Sequence, residues 1–409
     1  MRRFIFFALL AYSIPVLSQK SLMGLVTDEE SKPIPGASVF LNNTSLGTRT
    51  NEDGKFELLI PAGKFDLIIS SVGYETFNKT ITTHGLQDFI SIKLKIKEKE
   101  LDEVIVGPYE KDGWEKWGTF FLQSFIGTSA NATQCRIKNS KVIKFRNSKK
   151  KNELTAYASE PLVIENKALG YTIHYQLETF KYNFGTHFLL YEGYPFFENM
   201  KGNSGKKVKW ENRRSEAYSG SVLHFMRCVY RNRIIQEGFE VHPLQKIPNL
   251  EKRRVKMVYE RNMKRIETAN GKSVISIINQ DSADYYDRVL KQEDHIDVVG
   301  KNILPGDSIA YAADSVTAGL YFENYLLVIY KNKKVPFEYL KEFPEEGVSM
   351  MSQISLQNNR PVVIELNGSY YDPADLVSLG YWAWSEKMAT MLPFDYQPPA
   401  RQPEKSQQK

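Results

Sequence analysis

Gly24-Leu25-Val26-Thr27-Asp28, Pro33-Ile34-Pro35-Gly36-Ala37-Ser38-Val39 and Asn43-Thr44-Ser45-Leu46-Gly47-Thr48-Arg49-Thr50-Asn51-Glu52-Asp53-Gly54-Lys55-Phe56 follow one another near the start of the chain, with Pro61-Ala62-Gly63 and Ser71-Val72-Gly73-Tyr74 behind them. Apolar residues in and after these segments recur with period two, which sets one row of side chains on one face of a sheet. Phe56, Leu58 and Ile60 share a face in Lys55–Ile60, and Phe65, Leu67 and Ile69 share one in Lys64–Ser70. Ile90, Ile92, Leu94 and Ile96 alternate with Ser91, Lys93 and Lys95. Asp53-Gly54 supplies the positive-φ positions of a tight hairpin, and Pro61-Ala62-Gly63 joins a preset φ to a permissive glycine. Short strands punctuated in this way predict a β-sandwich. So small a sandwich buries a modest core and is expected to lean on the rest of the chain. Asn51-x-Asp53-Gly54 also looks like part of a calcium loop, but the first ligand spacing and the distal bidentate Glu are missing, so a turn is the better reading.

Together these residues resemble the carboxypeptidase-regulatory-like domain, a transthyretin-like β-sandwich common in envelope proteins of Bacteroidetes. The resemblance covers 19–97 and implies a module and a compartment rather than a reaction. Leu101-Asp102-Glu103-Val104-Ile105-Val106-Gly107 looks like the segment that leads from this sandwich into the plug of TonB-dependent transporters. The remaining chain is too short for a plug and a barrel of about 22 strands, each needing about 10 residues and a loop.

The 409 residues suit two or three domains, and 42% hydrophobic with 25% charged residues is the composition of a globular chain. A formal charge of +6, spread along the chain, gives no argument for nucleic acid as a partner. Arg2-Arg3, an apolar run from Phe4 to Leu10 and Val16-Leu17-Ser18 before Gln19 read as a secretory signal over 1–18. The mature protein is therefore expected to be exported, periplasmic or outer-membrane-associated, with no transmembrane segment. Two states are open for Cys135 and Cys228, a single disulfide or two buried thiols.

A charged linker is expected over 98–113, then a β-rich α+β domain over 114–396 and a disordered tail over 397–409. Trp114, Trp117, Phe120, Phe121 and Phe125 have the spacing of one apolar helix face. Strands are predicted at 134–145 with a hairpin near Asn139, and at 154–158, 162–166, 171–182, 186–191, 255–259, 274–278, 321–331 and 361–371. Asn270-Gly271 signals a hairpin between 265–268 and 273–278. Helices are predicted at 215–236, at 282–292 and at 376–392, the last opened by Asp372-Pro373.

None of the six histidines has Glu three residues later, and His-Glu-x-x-His is absent, so the pattern of a zinc hydrolase is missing. Gly-x-Ser-x-Gly is also missing; Ser219 or Ser221 reads as a helix N-cap, and Cys228 among Met226 and Val229 reads as core. No Gly-rich phosphate loop occurs. We therefore assign no catalytic residue, metal ligand or cofactor. The candidate binding residues are basic and aromatic: Lys207, Trp210, Arg213 and Arg214 ahead of the 215–236 helix, Arg227 and Arg231 on it, and Trp382 and Trp384 near the end. Such side chains suit anionic headgroups or glycans, and they equally suit a solvated helix flank and a docked terminal helix. The expectation is a mainly β protein that is exported and non-enzymatic. Its sandwich would dock or space, and its large domain would bind an envelope protein or glycan, with peripheral contact to the outer membrane. The rival is a periplasmic peptidase or glycan hydrolase of unfamiliar type.

Overall fold

Lys55–Ile60 alternates exposed and buried along its whole length, as its period predicts. In the computed structural model, which describes residues 20–97, 108–267, 273–277, 283–344, 347–371 and 373–399, it is the fourth of seven sandwich strands. These are β1 (Lys20–Thr27), β2 (Ser38–Leu41), β3 (Gly47–Arg49), β4 (Lys55–Ile60), β5 (Lys64–Ser70), β6 (Phe77–Thr82) and β7 (Phe89–Lys93). One sheet has the order β4-β1-β7, with β1 antiparallel to β4 and parallel to β7. The other, β3-β2-β5-β6, is antiparallel throughout. Leu22, Val26, Leu58 and Ile60 meet Val39, Leu41, Leu67 and Ile69 in the core between them. Gly54 does take a positive φ of 74°. The turn carries the chain from β3 in one sheet to β4 in the other, so it is a crossing and not the expected hairpin. Asn51 Oδ1 accepts from the N–H groups of Asp53 (3.1 Å) and Lys55 (2.9 Å), which uses for a turn the oxygen a calcium loop would need. The signal over 1–18, residues 98–107 of the linker, and the tail from 400 lie outside the described residues.

Next come α1 (Gly113–Phe125), β8 (Cys135–Ile137), β9 (Ile143–Ser148), β10 (Glu153–Ala158), β11 (Leu162–Asn166), β12 (Tyr171–Asn183), β13 (Phe188–Asn199) and α2 (Ser204–Tyr218). The strands form a sheet ordered β8-β11-β12-β10-β9, with β13 also on β12. The α1 face packs on it as its spacing predicts: Phe121 lies 4.8 Å from the Phe180 ring and Phe125 5.0 Å from the Tyr175 ring. Asn139 is not in a hairpin, because β8 pairs with β11 and β9 with β10. Its amide instead donates to the Pro161 carbonyl and accepts from the Val163 N–H.

The sandwich leans on this sheet. Asn43 N–H donates to the Pro195 carbonyl (2.8 Å), Phe197 N–H donates to the Thr44 carbonyl (3.0 Å), and the Phe40 and Phe196 rings sit 5.3 Å apart. A late segment joins both. Phe394 N–H donates to the Asn43 carbonyl (2.7 Å), Asp395 accepts from the Ser45 N–H and hydroxyl, and Met388 N–H donates to the Phe125 carbonyl (3.1 Å). The chain thus falls into two compact units, one of Met1–Tyr218 with Lys387–Lys409, the other of Ser219–Glu386.

The second unit holds α3 (Val222–Tyr230), β14 (Phe239–Pro248), α4 (Leu250–Asn262), β15 (Met263–Glu267), β16 (Ser273–Ile277), α5 (Ala283–Leu290), β17 (His295–Val299), β18 (Ala310–Ala312), β19 (Thr317–Leu320), β20 (Tyr325–Lys334), α6 (Phe337–Glu342), β21 (Ser349–Leu356), β22 (Val362–Glu365), β23 (Leu376–Gly380) and α7 (Tyr381–Ser385). Its main sheet runs β17-β14-β20-β21-β23, beside a smaller sheet β18-β19-β22. β15 and β16 pair as predicted, although the Asn270-Gly271 turn lies outside the described residues. The strand expected at 255–259 is instead inside α4. Asn249 Oδ1 caps that helix by accepting from the Lys252 N–H (3.0 Å), and Val255 alone among its apolar residues is fully buried. The helix expected at 376–392 is also overturned: Leu376–Gly380 pairs with β21 as an edge strand, and only Tyr381–Ser385 is helical. The predicted 215–236 helix breaks at Gly220 (φ 83°), after which Ser221 caps α3 through its hydroxyl, as its N-cap reading requires.

Both cysteines carry thiols, so the disulfide alternative is not formed. Cys228 lies in the core with Phe225 and Met226, and burial pushes the Cys135 thiol up to about 12. The thiolate is the reactive form. We expect neither thiol to react with a disulfide reagent at mildly alkaline pH until the protein is unfolded; one rapidly titrated thiol in native protein would contradict this.

Candidate functional site

The β11–β12 connection is a short loop, Lys167-Ala168-Leu169-Gly170, between the paired residues Asn166 and Tyr171. Such a loop leaves backbone carbonyls without strand partners, and each needs a donor. Two side chains of α2 supply them, beside the Met200 N–H that also donates to the Gly170 carbonyl (2.9 Å). Trp210 Nε1–H donates to the Lys167 carbonyl (3.0 Å). Arg214 donates to the carbonyls of Leu169 (2.7 Å) and Gly170 (3.3 Å) and to Asn199 Oδ1 (3.1 Å), while its guanidinium lies 3.8 Å above the Tyr171 ring. Burial pushes the Tyr171 phenol up, so it stays a neutral partner for that cation. The indole fits only because two neighbours lack side chains: a Cβ on Gly170 would come within 2.2 Å of the Trp210 ring, and one on Gly202 within 2.6 Å.

Beside this clamp opens a cleft of about 600 Å³, lined by Asn199, Met200, Lys201, Gly202, Lys207, Trp210, Glu211 and Arg214. Asn203 starts α2 by accepting from the Lys206 N–H (3.0 Å), and the first turns of the helix stand in solvent, with Lys206, Lys207 and Lys209 exposed. The lining carries three cations and one carboxylate. Glu211 is already engaged, accepting from the Tyr396 hydroxyl (3.1 Å). Burial and the adjacent Glu211 charge push that phenol up, which keeps it a donor. Arg214 is committed to the loop, so Lys201 and Lys207 are the cations left facing the opening. The cleft thus offers a half-buried aromatic wall, an amide and two ammonium groups, a set suited to a polar, negatively charged ligand.

The predicted residues therefore divide. Lys207, Trp210, Arg213 and Arg214 lie on α2 itself rather than ahead of a helix, with Arg213 Nη1 donating to Gln134 Oε1 (2.9 Å). Arg227, Trp382 and Trp384 are interior residues of the second unit and form no surface. Arg227 is 1% exposed on α3 and donates from Nε to the Asn367 carbonyl (2.7 Å). Trp382 donates to the Gly220 carbonyl (2.8 Å), and Trp384 packs 5.3 Å from the Tyr339 ring. Arg231 is exposed and closes α3, its N–H donating to the Arg227 carbonyl. Sequence reasoning missed Asn199, Lys201 and Glu211. The one local signal was the Gly202-Asn203 start of α2, which brings Lys201 back beside Lys207.

Chemistry elsewhere is sparse. Among the described residues, no group of three or more His, Cys, Asp or Glu is placed to hold a metal, and no helix is long and apolar enough to cross a membrane. The Ser221 hydroxyl accepts from a backbone N–H, and the His224 ring is buried 5.0 Å from Phe239, an arrangement of capping and packing.

Comparison with known proteins locates one recognisable module. The chain is 34% identical over 92 residues to a TonB-dependent receptor of Formosa agariphila, and 31% identical over 98 residues to the TonB-dependent receptor SusC of Bacteroides thetaiotaomicron. Those matches take up 22% and 24% of this chain and 9% of each receptor, so the chain spans less than a tenth of either. A DUF3823 family protein from Parabacteroides merdae pairs with 46% of this chain and 83% of its own at 11% identity, but its TM-score of 0.16 is too low to argue from. The β4-β1-β7 and β3-β2-β5-β6 sheets coincide with the matched family: residues 22–106 are a CarboxypepD_reg-like domain.

Proposed function

We propose that this chain is an exported, non-catalytic binding protein of the bacterial cell envelope, whose α2 cleft takes an acidic saccharide and whose sandwich serves as a docking or spacer module. The α2 cleft carries the reading: Lys201 and Lys207 flank a wall made by Trp210, with a single, engaged carboxylate among the lining residues. Glycoside hydrolysis takes a pair of carboxyl groups across the bond, so binding is the better account of this cleft than the rival hydrolase. The matched receptors lend support for the envelope, because the same kind of domain occurs in TonB-dependent receptors.

Titration calorimetry with an oligogalacturonate and with a neutral maltooligosaccharide tests this. The acidic sugar is expected to bind and the neutral one not. Lys201→Ala and Lys207→Ala should each weaken binding about tenfold or more, the loss typical of one charge-assisted contact. Equal binding of both sugars, binding of neither, or turnover of either would overturn the proposal.

A further inference from the structure

Two hairpin tips lie side by side in the first unit, at the opposite end of β13 from the α2 cleft. The β9–β10 turn is Lys149-Lys150-Lys151-Asn152, with Asn152 at a φ of 52°. The β12–β13 turn runs through Phe184, Gly185, Thr186 and His187 to Phe188. They are tied by Phe184 N–H donating to the Asn152 carbonyl (2.9 Å) and Asn183 Nδ2 donating to the Lys151 carbonyl (3.4 Å). All three lysines are exposed, and none forms an ion pair with any of the described residues.

Behind them stands a half-exposed aromatic group. Phe184 lies 5.7 Å from Trp117, 5.7 Å from Phe120 and 5.1 Å from Tyr182, while Phe188 is 49% exposed. Lys116 sits over the Trp117 ring and pairs with Glu110. In the chain, Glu153 follows the lysine turn directly and Glu178 and Glu192 flank the second turn on β12 and β13, but the two turns themselves carry no carboxylate, so the tip is cationic.

We propose that these paired tips are a docking surface for an anionic lipid leaflet. Lysines at a surface potential gain from each anionic headgroup layer they approach, and aromatic rings favour the boundary between headgroup and acyl chain. A sugar platform would need an open ring face. Here Phe120 meets Tyr182 at 71° and Tyr182 meets Phe184 at 76°, so edges and faces are used on each other. The tips project as turns rather than enclosing a groove, which fits a broad surface better than one chain of a polymer.

Sedimentation of the full chain with vesicles of phosphatidylethanolamine and phosphatidylglycerol, against phosphatidylcholine alone, tests the proposal. Binding is expected only to the anionic vesicles and should fall as ionic strength rises. The triple variant Lys149→Ala, Lys150→Ala, Lys151→Ala should partition about a hundredfold less, at roughly a factor of five per lysine. Phe188→Ser should also weaken it, and Lys201→Ala with Lys207→Ala should not. No sedimentation with anionic vesicles, an unchanged triple variant, loss only in the Lys201 and Lys207 variants, or an acidic polysaccharide bound where vesicles are not, would each overturn it.

Discussion

Trp382→Ala is expected to destabilise the Ser219–Glu386 unit by about 3–5 kcal/mol, the range for emptying a buried aromatic site. The ring is 2% exposed, 5.3 Å from Phe225. Its Nε1–H also satisfies the Gly220 carbonyl, at the break between α2 and α3. Truncation therefore removes packing and strands an acceptor where the chain already needs a positive φ. Since a whole domain is held by about 5–15 kcal/mol, the urea midpoint should drop severely. Trp382→Phe separates the two effects, because it keeps most of the packing and loses the hydrogen bond, for a cost of about 1–3 kcal/mol. A Trp382→Ala protein that unfolded like wild type but lost saccharide binding would return this tryptophan to the surface, against its burial in the second unit.

That contrast shows where local reading succeeds. β4 was legible because a sheet with one buried face writes period two into its sequence, whereas β5 is buried on both faces from Leu67 to Ser70 and only its Leu67 and Ile69 row follows that rule. α1 was legible because its five aromatics lie on one stripe. Lys93 ends β7 before the alternation stops at Ile96, since Ile96 meets only Tyr74 in an isolated bridge. The edge strand Leu376–Gly380 was unreadable for a different reason: it is a strand because β21, some twenty residues earlier in the chain, offers it an edge. The apolar residues in 255–259 suit either element, and the Asn249 cap with the Glu251–Arg254 pair makes them helical.

The candidate site divides in the same way. A row of Lys and Arg marked the α2 region, but sequence alone does not distinguish a cation facing ligand from one serving the fold. Arg214 is spent on carbonyls that exist only because β11 and β12 join by a short loop. Lys201 enters from the end of β13, which no spacing rule connects to Lys207. The sandwich was recognisable as a module, yet its lean on Phe196 and on the returning Phe394-Asp395 segment depends on residues far along the chain.

Gly170→Ala is the second large effect we expect, and Gly36→Ala provides its control. Both glycines have a φ of 71°. A Cβ on Gly36 meets nothing within 4 Å, whereas one on Gly170 would stand 2.2 Å from the Trp210 ring. Gly36→Ala should therefore cost only the left-handed strain, about 1–2 kcal/mol. Gly170→Ala carries the same strain and must also push the indole away from Lys167, breaking that hydrogen bond and part of the clamp on α2. Its cost should exceed the control by about 2 kcal/mol or more. Trp210 also lines the cleft, so saccharide affinity should fall in Gly170→Ala and stay at wild type in Gly36→Ala. Equal stability losses in the two variants would mean that Trp210 swings aside freely, and the cleft would then have no fixed aromatic wall. A larger loss accompanied by unchanged affinity would keep the clamp as a structural element and remove Trp210 from the binding surface, leaving Lys201 and Lys207 to hold the ligand by charge.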